Sequence, residues 1–137
     1  MTRFILDSNA MNALVARREP LTSRAQKARD AGHRLVTCEP IVAELLLGME
    51  FSSSRDANLK RLKANLNGIK SWPFDRKASQ EYAKVGAILR RNGRKIQLVD
   101  LMLAAVALSV GDCTVVTTDS DLSYVPGLSV VDWTKTT

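Results

Sequence analysis

The chain of 137 residues has little of what builds zinc sites, disulfide frameworks or aromatic clusters: one His, two Cys, three Phe, two Tyr and two Trp. Cys38 and Cys113 form no C-x-x-C pair and lie in apolar, strand-like runs, so we expect small buried hydrophobic residues in a reducing compartment. His33 follows Gly32 in a predicted turn and is expected at the surface. So few aromatic rings give no strong signal of base stacking.

Long apolar runs are also missing. No segment approaches the length of a membrane span, and the N-terminus opens with a strand-like FILD run instead of a signal peptide. We therefore expect a cytoplasmic protein without a membrane anchor. The 20 Lys and Arg residues exceed the 14 Asp and Glu residues, which gives a net charge of +6. This excess favours a polyanionic partner but also suits solubility alone.

No repeat, low-complexity tract or flexible linker divides the sequence, so residues 1–137 are predicted to form a single domain. Hydrophobic patterning predicts strands at residues 3–6, 35–37, 69–74, 114–117 and 128–131. It predicts helices at residues 9–17, 22–31, 40–51, 54–67, 75–91 and 98–109. Strands that alternate with helices imply an α/β fold with a mainly parallel sheet covered on both faces.

Residues at the predicted helix ends support these bounds. Pro40 suits a first helical turn, and Asp75 suits an N-cap. Gly93 and Gly111 each follow the end of a predicted helix, where glycine is common.

Two acids are placed where a carboxylate suggests function. Asp7 comes directly after the first strand, and open α/β sheets bind ligands outside the carboxyl ends of their strands. The alternative is that Asp7 or Ser8 caps the next helix. Glu44 lies in IVAELLLG, so almost any orientation of that helix places its carboxylate beside the core. The alternative places Glu44 on a thin solvent-facing stripe near the helix N-terminus.

Asp100 is the only charged residue of the apolar helix LVDLMLAAVAL, which we expect to be buried. A buried carboxylate needs a cation, several hydrogen-bond donors or a metal ion, since otherwise its pKa rises and it becomes neutral. This requirement favours a functional site, with helix capping as the alternative.

Asp119 and Asp121 follow the strand TVVT, at the same kind of strand exit as Asp7. For either residue alone, the alternative is an Asx-type turn within TDSD. Two strand exits that both carry acids nevertheless predict that the acids meet at one edge of the sheet.

Four converging acids require a positive partner. Each pair of carboxylates near 4 Å repels by about 1 to 4 kcal/mol. Oxygen ligands without an apt His favour Mg²⁺ or Mn²⁺ over zinc. A carboxylate cluster that holds such a cation activates water for hydrolysis of a phosphodiester. Ser8 and Thr117 are candidate hydrogen-bonding hydroxyls near this site, with ordinary capping and strand roles as the alternative.

Four segments in order carry a family resemblance: FILDSNA, IVAELLLG, RRNGRKIQLVDLMLAAVAL and VVTTDSDLSYVPGLSVVDW. They span nearly the whole chain and resemble the PIN-domain nucleases, within them the VapC-type toxins of bacterial toxin-antitoxin pairs. The resemblance implies a three-layer α/β/α sandwich that binds Mg²⁺ or Mn²⁺ and hydrolyses RNA phosphodiester bonds, with transfer RNA as the expected substrate.

The resemblance also implies roles for particular residues and a partner. Asp7, Glu44 and Asp100 match the three core acids, while Asp119 matches the more variable fourth position and Asp121 is its substitute. Ser8 stands where Thr is more usual, and the segment 117–125 is slightly shorter than in many relatives. Such proteins are usually homodimers that bind a small VapB-type antitoxin in a heterotetramer or larger assembly, and we expect the same here.

Basic and apolar surface residues have two interpretations each. Arg90, Arg91, Arg94 and Lys95 precede the helix of Asp100, where they suit contacts with RNA phosphates, or only favourable charge at a helix C-terminus. In the helix at residues 54–67, an apolar stripe is predicted to pack in the core, and the resemblance makes it a candidate wall of the antitoxin groove. The stripe consists of Leu59, Leu62 and Leu66.

Two other functions remain as alternatives. The first is a PIN-like domain without catalysis that binds nucleic acid or protein. The second is a flavodoxin-like regulator or phosphatase with Asp7 as phosphoacceptor. It is disfavoured because a D-x-D motif needs an Asp where this chain has Asn9, and because no suitable additional acid pair and Lys are found.

Overall fold

The computed structural model describes residues 1–135 and places five strands in one sheet. The strands are β1 (Arg3–Leu6), β2 (Arg34–Cys38), β3 (Lys70–Trp72), β4 (Cys113–Val116) and β5 (Ser129–Val131). Their order is β3-β2-β1-β4-β5, and every pairing is parallel. The predicted parallel sheet is confirmed.

Helices flank the sheet. Within residues 1–135 they are α1 (Ser8–Val15), α2 (Leu21–Asp30), α3 (Glu39–Glu50), α4 (Arg55–Leu66), α5 (Arg76–Arg91) and α6 (Leu98–Val110), with a 3-10 helix at Ser120–Tyr124. This arrangement is the expected three-layer α/β/α sandwich.

Several predicted bounds are wrong by a few residues, with local reasons. α1 ends at Val15 because Arg17 adopts a left-handed backbone with φ of 56°, which a continuing helix does not tolerate. β4 ends at Val116 rather than at Thr117, although the Thr117 amide still donates to the Val131 carbonyl at 3.1 Å. The exact ends of a strand are hard to predict from a short apolar run, because such a run occurs both in buried strands and in buried helices.

The predicted helix ends are confirmed. Asp75 caps α5, with its carboxylate accepting from the Ala78 amide at 2.9 Å, and Pro40 lies in the first turn of α3. Gly93 follows α5 with a φ of 70°. Gly111 ends α6 with φ 79° and ψ 161°, a conformation that is nearly exclusive to glycine.

The core lies between the sheet and the helices, and α6 is its most apolar helix. Leu103 and Val106 of α6 are fully buried, so the predicted burial of this helix is confirmed. Leu62 of α4 is also fully buried and Leu66 packs against the core, which confirms core packing for this part of the α4 stripe. No helix in the described residues has both the length and the apolar character needed to cross a bilayer.

The two Cys residues and the single His are at least partly buried in the fold. Both cysteines are free thiols: Cys38 is buried and Cys113 is half-buried. Burial raises the pKa of the Cys38 thiol to about 12. His33 was expected at the surface but is half-buried. Its Nδ1 accepts a hydrogen bond from the Thr2 amide at 2.9 Å, and its ring contacts Phe4 edge to face.

The order of the strands creates a crevice beside β1. The chain extends the sheet from β1 through β2 to β3 and then crosses back to add β4 and β5 on the other side of β1. Ligands of open α/β sheets bind at such a switch point, outside the carboxyl ends of the strands. Leu6 of β1 pairs with Val116 of β4, so the next residues, Asp7 and Thr117, leave the sheet side by side.

Two glycine substitutions test the backbone of this fold. We expect Gly111→Ala to lower the free energy of unfolding by about 1 to 3 kcal/mol, because an L side chain is strained at this φ and ψ. Gly48→Ala should raise it by about 0.5 to 1 kcal/mol, because Gly48 lies inside α3 with open space around a Cβ. Urea unfolding measures both, and equal effects of the two substitutions would contradict the assigned backbone conformations.

Candidate functional site

Four acids from separate elements line one cleft of about 330 Å³ at the carboxyl edge of the sheet. Asp7 follows β1, Glu44 lies on α3, Asp100 lies in the first turn of α6, and Asp119 follows β4. The complete lining is Asp7, Ser8, Asn9, Glu44, Gln97, Asp100, Thr118 and Asp119. The structure therefore brings the four sequence-predicted acids together at the switch point of the sheet.

Asp7 is the buried member of this set. Its side chain is only 4% exposed, and its carboxylate accepts from the Ala10 amide at 2.8 Å as the N-cap of α1. Burial raises the pKa of Asp7, hydrogen bonds from Thr117 and Ala10 oppose that rise, and Asp119 and Glu44 add repulsion. Asp7 therefore caps α1, as the capping alternative predicted, and it also faces the cleft.

Thr117 links two of the acids. This buried residue directs its hydroxyl toward the Asp7 carboxylate, and the same oxygen accepts from the Asp119 amide at 3.0 Å. Asp119 in turn accepts from the Asp121 amide at 2.9 Å, so the Asx-type turn that was the alternative for Asp119 is present. The turn fixes the backbone at Asp119 while its carboxyl group lines the cleft.

Glu44 differs from the sequence expectation. The helix was expected to bury this carboxylate beside the core, but Glu44 is exposed, because α3 packs through Ile41 and Leu45 and leaves Leu47 60% exposed. The solvent-facing alternative was correct on this point. The Ser8 hydroxyl donates to the Glu44 carboxylate, which holds this acid at the cleft.

Asp100 carries the clearest electrostatic signature. It is half-buried in the first turn of α6, and Gln97 rather than Asp100 is the N-cap of that helix. Burial raises the pKa of Asp100 to about 6, with further contributions from the charge of Asp119, a side-chain hydrogen bond with Asp119, and the charges of Asp7 and Glu44. Carboxylates that perturb one another in this way favour the binding of a cation.

The donor set suits a hard divalent cation. The cleft offers carboxylate, amide and hydroxyl oxygens, and neither His nor Cys is among its lining residues. Across residues 1–135, no three Asp, Glu, His or Cys side chains form a ready-made coordination sphere. Mg²⁺ rarely uses an all-protein cage and is usually held by one or two carboxylates together with waters and substrate phosphates, so an open ring of acids fits it.

Three polar lining residues were not singled out from the sequence. Asn9, Gln97 and Thr118 line the cleft between the acids. The available signal was their position next to strand ends and to the start of α6, but side chains of this type are common in turns. Asp121, the predicted substitute for Asp119, is exposed and lies outside the lining of the cleft.

The predicted basic residues lie at the end of α5 and in the loop that leads to α6. Arg90 and Arg91 are exposed in the last turn of α5, the position of the helix C-terminus alternative. Arg94 and Lys95 are exposed in the loop that leads to α6. Gln97 and Asp100 follow in the same loop and helix, so the basic residues lie next to the cleft along the chain.

The raised pKa of Asp100 makes a prediction for stability. In EDTA, we expect Asp100→Asn to be as stable as the unchanged chain well below pH 3.8, where the carboxyl group is protonated in both states. Between pH 3.8 and about 6 the folded chain binds more protons than the unfolded chain, so its stability falls as the pH rises. Above pH 6 the substitution should stabilise by about 1 kcal/mol, allowing for partial solvent screening.

Urea unfolding across this pH range measures the difference. Asp112→Asn is the matched control, because exposed Asp112 precedes β4 at the opposite edge of the sheet and Asn tolerates its φ of 50°. A stability difference for Asp100→Asn that does not change with pH would contradict this account of the cleft.

Comparisons with known proteins agree with this architecture. The tRNA(fMet)-specific endonuclease VapC of Shigella flexneri is 26% identical over 133 residues, which are 97% of this chain and 99% of that protein. A chain of DNA-bound VapBC from Salmonella typhimurium matches with a TM-score of 0.88 and 25% identity, over 97% of this chain and 99% of that chain.

VapBC2 from Rickettsia felis, bound to a DNA fragment from its promoter, matches with a TM-score of 0.89. The match covers 96% of this chain and 98% of that chain. The sequence identity is 20%, so this match shows a similar fold. A family model described as PIN domain matches residues 4–128. Since that match spans most of the chain, including most of β1, the helices that carry the acids and the exit of β4, the chain belongs to the PIN-domain family.

Proposed function

We propose that this chain is a metal-dependent endoribonuclease that hydrolyses RNA phosphodiester bonds and acts as the toxin of a toxin-antitoxin pair. The observation that carries the proposal is the convergence of Asp7, Glu44, Asp100 and Asp119 on one cleft. Four acids in mutual repulsion at a sheet edge are costly for the fold, and a divalent cation relieves that cost. Membership of the PIN-domain family and similarity to a VapC endonuclease support the same activity.

The cation proposed for this site is Mg²⁺ or Mn²⁺, with Asp7, Glu44, Asp100 and Asp119 as the residues that would hold it. A cation of this kind, when bound, lowers the pKa of a water molecule and offsets negative charge on a phosphate. The oxygen-rich lining of the cleft supports this choice over zinc.

The protein's own residues orient the acids. Thr117 holds Asp7 and the Asp119 backbone together, and Ser8 holds Glu44. Asn9, Gln97 and Thr118 present polar groups on the same lining, where they suit hydrogen bonds with phosphate oxygens. The N-terminus of α6 adds a favourable dipole for a phosphate at this place, because Gln97 leaves the first amides of that helix without a side-chain cap.

Transfer RNA is the proposed substrate class. The similar Shigella flexneri protein is a tRNA(fMet)-specific endonuclease, and the present chain aligns with nearly all of it. The excess of basic residues, a net charge of +6, favours a polyanionic substrate. The exposed Arg90, Arg91, Arg94 and Lys95 are proposed to contact the RNA beside the cleft.

The proposed partner is a small VapB-type antitoxin bound to a homodimer of this chain, in a heterotetramer or larger assembly. Similar solved structures contain VapBC complexes. On α3, Leu47 is 60% exposed, and Phe51 directly after the helix is 84% exposed. Exposed apolar side chains of this size favour a protein-protein contact.

Removal of single acids tests the activity. With purified chain, mixed transfer RNA and Mg²⁺ or Mn²⁺, we expect Asp7→Asn, Glu44→Gln, Asp100→Asn and Asp119→Asn each to slow cleavage. The loss should be at least the roughly 10- to 100-fold effect of removing an outer-shell partner, because each acid is proposed to hold the cation directly or through a bound water. EDTA should abolish cleavage by the unchanged chain. Gel analysis of the RNA gives the rates.

Asp112→Asn serves as the control for loss of one negative charge outside the cleft and should cleave at the rate of the unchanged chain. Asn is chosen at position 7 because it also caps helices and so keeps the N-cap of α1, and a melting curve checks that Asp7→Asn remains folded. Cleavage that survives EDTA and all four acid substitutions would overturn the proposal. No cleavage at all by a folded, metal-loaded chain would favour the alternative of a PIN domain that only binds.

Thr117 is proposed as a positioning residue, and its hydroxyl can be removed without a change of shape. We expect Thr117→Val to lower kcat by about tenfold, because Asp7 loses a donor and Asp119 loses its backbone anchor. Thr117→Ser should restore most of the activity, since it returns the hydroxyl. A titration of Mn²⁺ should also show that Thr117→Val needs more metal for half-maximal cleavage, whereas a purely structural role would lower the melting temperature without this change.

A further inference from the structure

A second pocket of about 230 Å³ lies beside the acidic cleft. Its lining includes two cationic residues, Arg94 and Lys95, one aromatic ring, Tyr124, and one carboxylate, Asp121. All four of these side chains are exposed. A pocket that combines a cation, a ring and a hydrogen-bond acceptor has the chemistry to bind a nucleotide.

Arg94 and Tyr124 form a stacked pair in this pocket. The central carbon of the Arg94 guanidinium lies 3.3 Å from the centroid of the Tyr124 ring, a cation–π contact. Arg94 forms no ion pair within residues 1–135, so the ring is what orients the guanidinium. The two residues come from different segments, the loop before α6 and the 3-10 helix at Ser120–Tyr124. Their contact produces a flat cationic surface that remains open to solvent.

The pocket and the cleft are joined through two chain segments. Ile96 lines the pocket and the next residue, Gln97, lines the cleft. Asp121 lines the pocket while Asp119 lines the cleft, and the Asp121 amide donates to the Asp119 carboxylate at 2.9 Å. The two sites therefore border each other at Ile96 and Gln97 and at Asp119 and Asp121.

We infer that this pocket binds the unpaired base of the nucleotide next to the phosphate that is cut. The inference rests on the proposed ribonuclease function and names a determinant of its substrate. In this arrangement the base stacks on the Arg94 guanidinium, which Tyr124 holds flat from the other side. Lys95 contacts the adjoining phosphate, and Asp121 accepts hydrogen bonds from the edge of the base.

The acceptor at Asp121 also determines which base is preferred. A carboxylate has no proton to donate, so it selects a base edge that presents N–H donors. Guanine offers a ring N–H and an amino group side by side on its Watson-Crick edge and can therefore donate two hydrogen bonds to one carboxylate. The pocket should prefer guanine over uracil, and it requires a nucleotide from a loop or another single-stranded region, because bases are accessible to side chains there.

A binding experiment tests this inference separately from cleavage. The Asp100→Asn chain is used in EDTA, and its affinity for a short fluorescein-labelled single-stranded RNA that contains guanine is measured by fluorescence anisotropy. We expect Arg94→Ala and Tyr124→Ala each to weaken binding by about tenfold, the usual cost of losing one stacked base. Tyr124→Phe should bind normally because it keeps the ring.

Matched variants separate stacking from charge. Arg94→Lys keeps the positive charge but loses the planar guanidinium group. Its RNA affinity should therefore be close to that of Arg94→Ala. Arg76→Ala removes one exposed cation at the far end of α5 and should change affinity far less than Arg94→Ala. Asp121→Asn should reduce the preference for guanine over a uracil-containing RNA of the same length while keeping most of the affinity for the uracil RNA. Melting curves confirm that each variant is folded.

The outcomes distinguish this inference from the proposed activity. Equal RNA affinity in all variants would overturn the base pocket while leaving cleavage by the unchanged chain intact. Full recovery by Arg94→Lys would overturn stacking as the mode of binding. If the unchanged chain cuts no RNA but the variants lose affinity as expected, the nuclease proposal fails, and what stands is a pocket that binds an unpaired base without a role in cleavage.

Discussion

The pairing of β1 with β4 at the centre of the sheet is the contact on which the cleft depends. Because the strands are parallel and Leu6 lies opposite Val116, the chain leaves both strands at the same edge. Asp7 and Thr117 emerge together, and Asp119 follows two residues later. The strand pairing and the hydrophobic core beneath it offset the electrostatic repulsion between the acids. Ile5 and Val115 are fully buried in that core. The fold therefore holds in place an electrostatic arrangement that its isolated segments would avoid.

Much of this architecture was readable from the sequence. The alternation of apolar runs predicted the parallel sheet and its flanking helices, because buried strands and amphipathic helices leave different periodicities. Asp7, Asp100 and Asp119 were identified because each follows a strand or interrupts an apolar helix, where a charge is costly. The helix ends at Asp75, Gly93 and Gly111 were also predicted, since capping chemistry is local.

Features that depend on tertiary packing were not readable. Glu44 was expected beside the core, but α3 rests on the molecule through only one stripe, and no local pattern shows which side of an apolar helix is covered. The contact between Arg94 and Tyr124 joins residues far apart in sequence, and the small number of aromatic residues argued against stacking. Asn9, Gln97 and Thr118 join the cleft only because the first turn of α1, the start of α6 and the segment after β4 meet there.

The double role of Asp7 has a consequence for how this gene can change under selection. One side chain both caps α1 and faces the cleft, so a mutation there to a residue that cannot cap a helix removes a helix contact and a functional group in one step. Glu44, exposed on α3, carries no such dual duty. Lineages that lose the activity through Asp7 should accumulate less of the protein, whereas lineages that lose it through Glu44 should retain a full pool of folded copies that still occupies any binding partner.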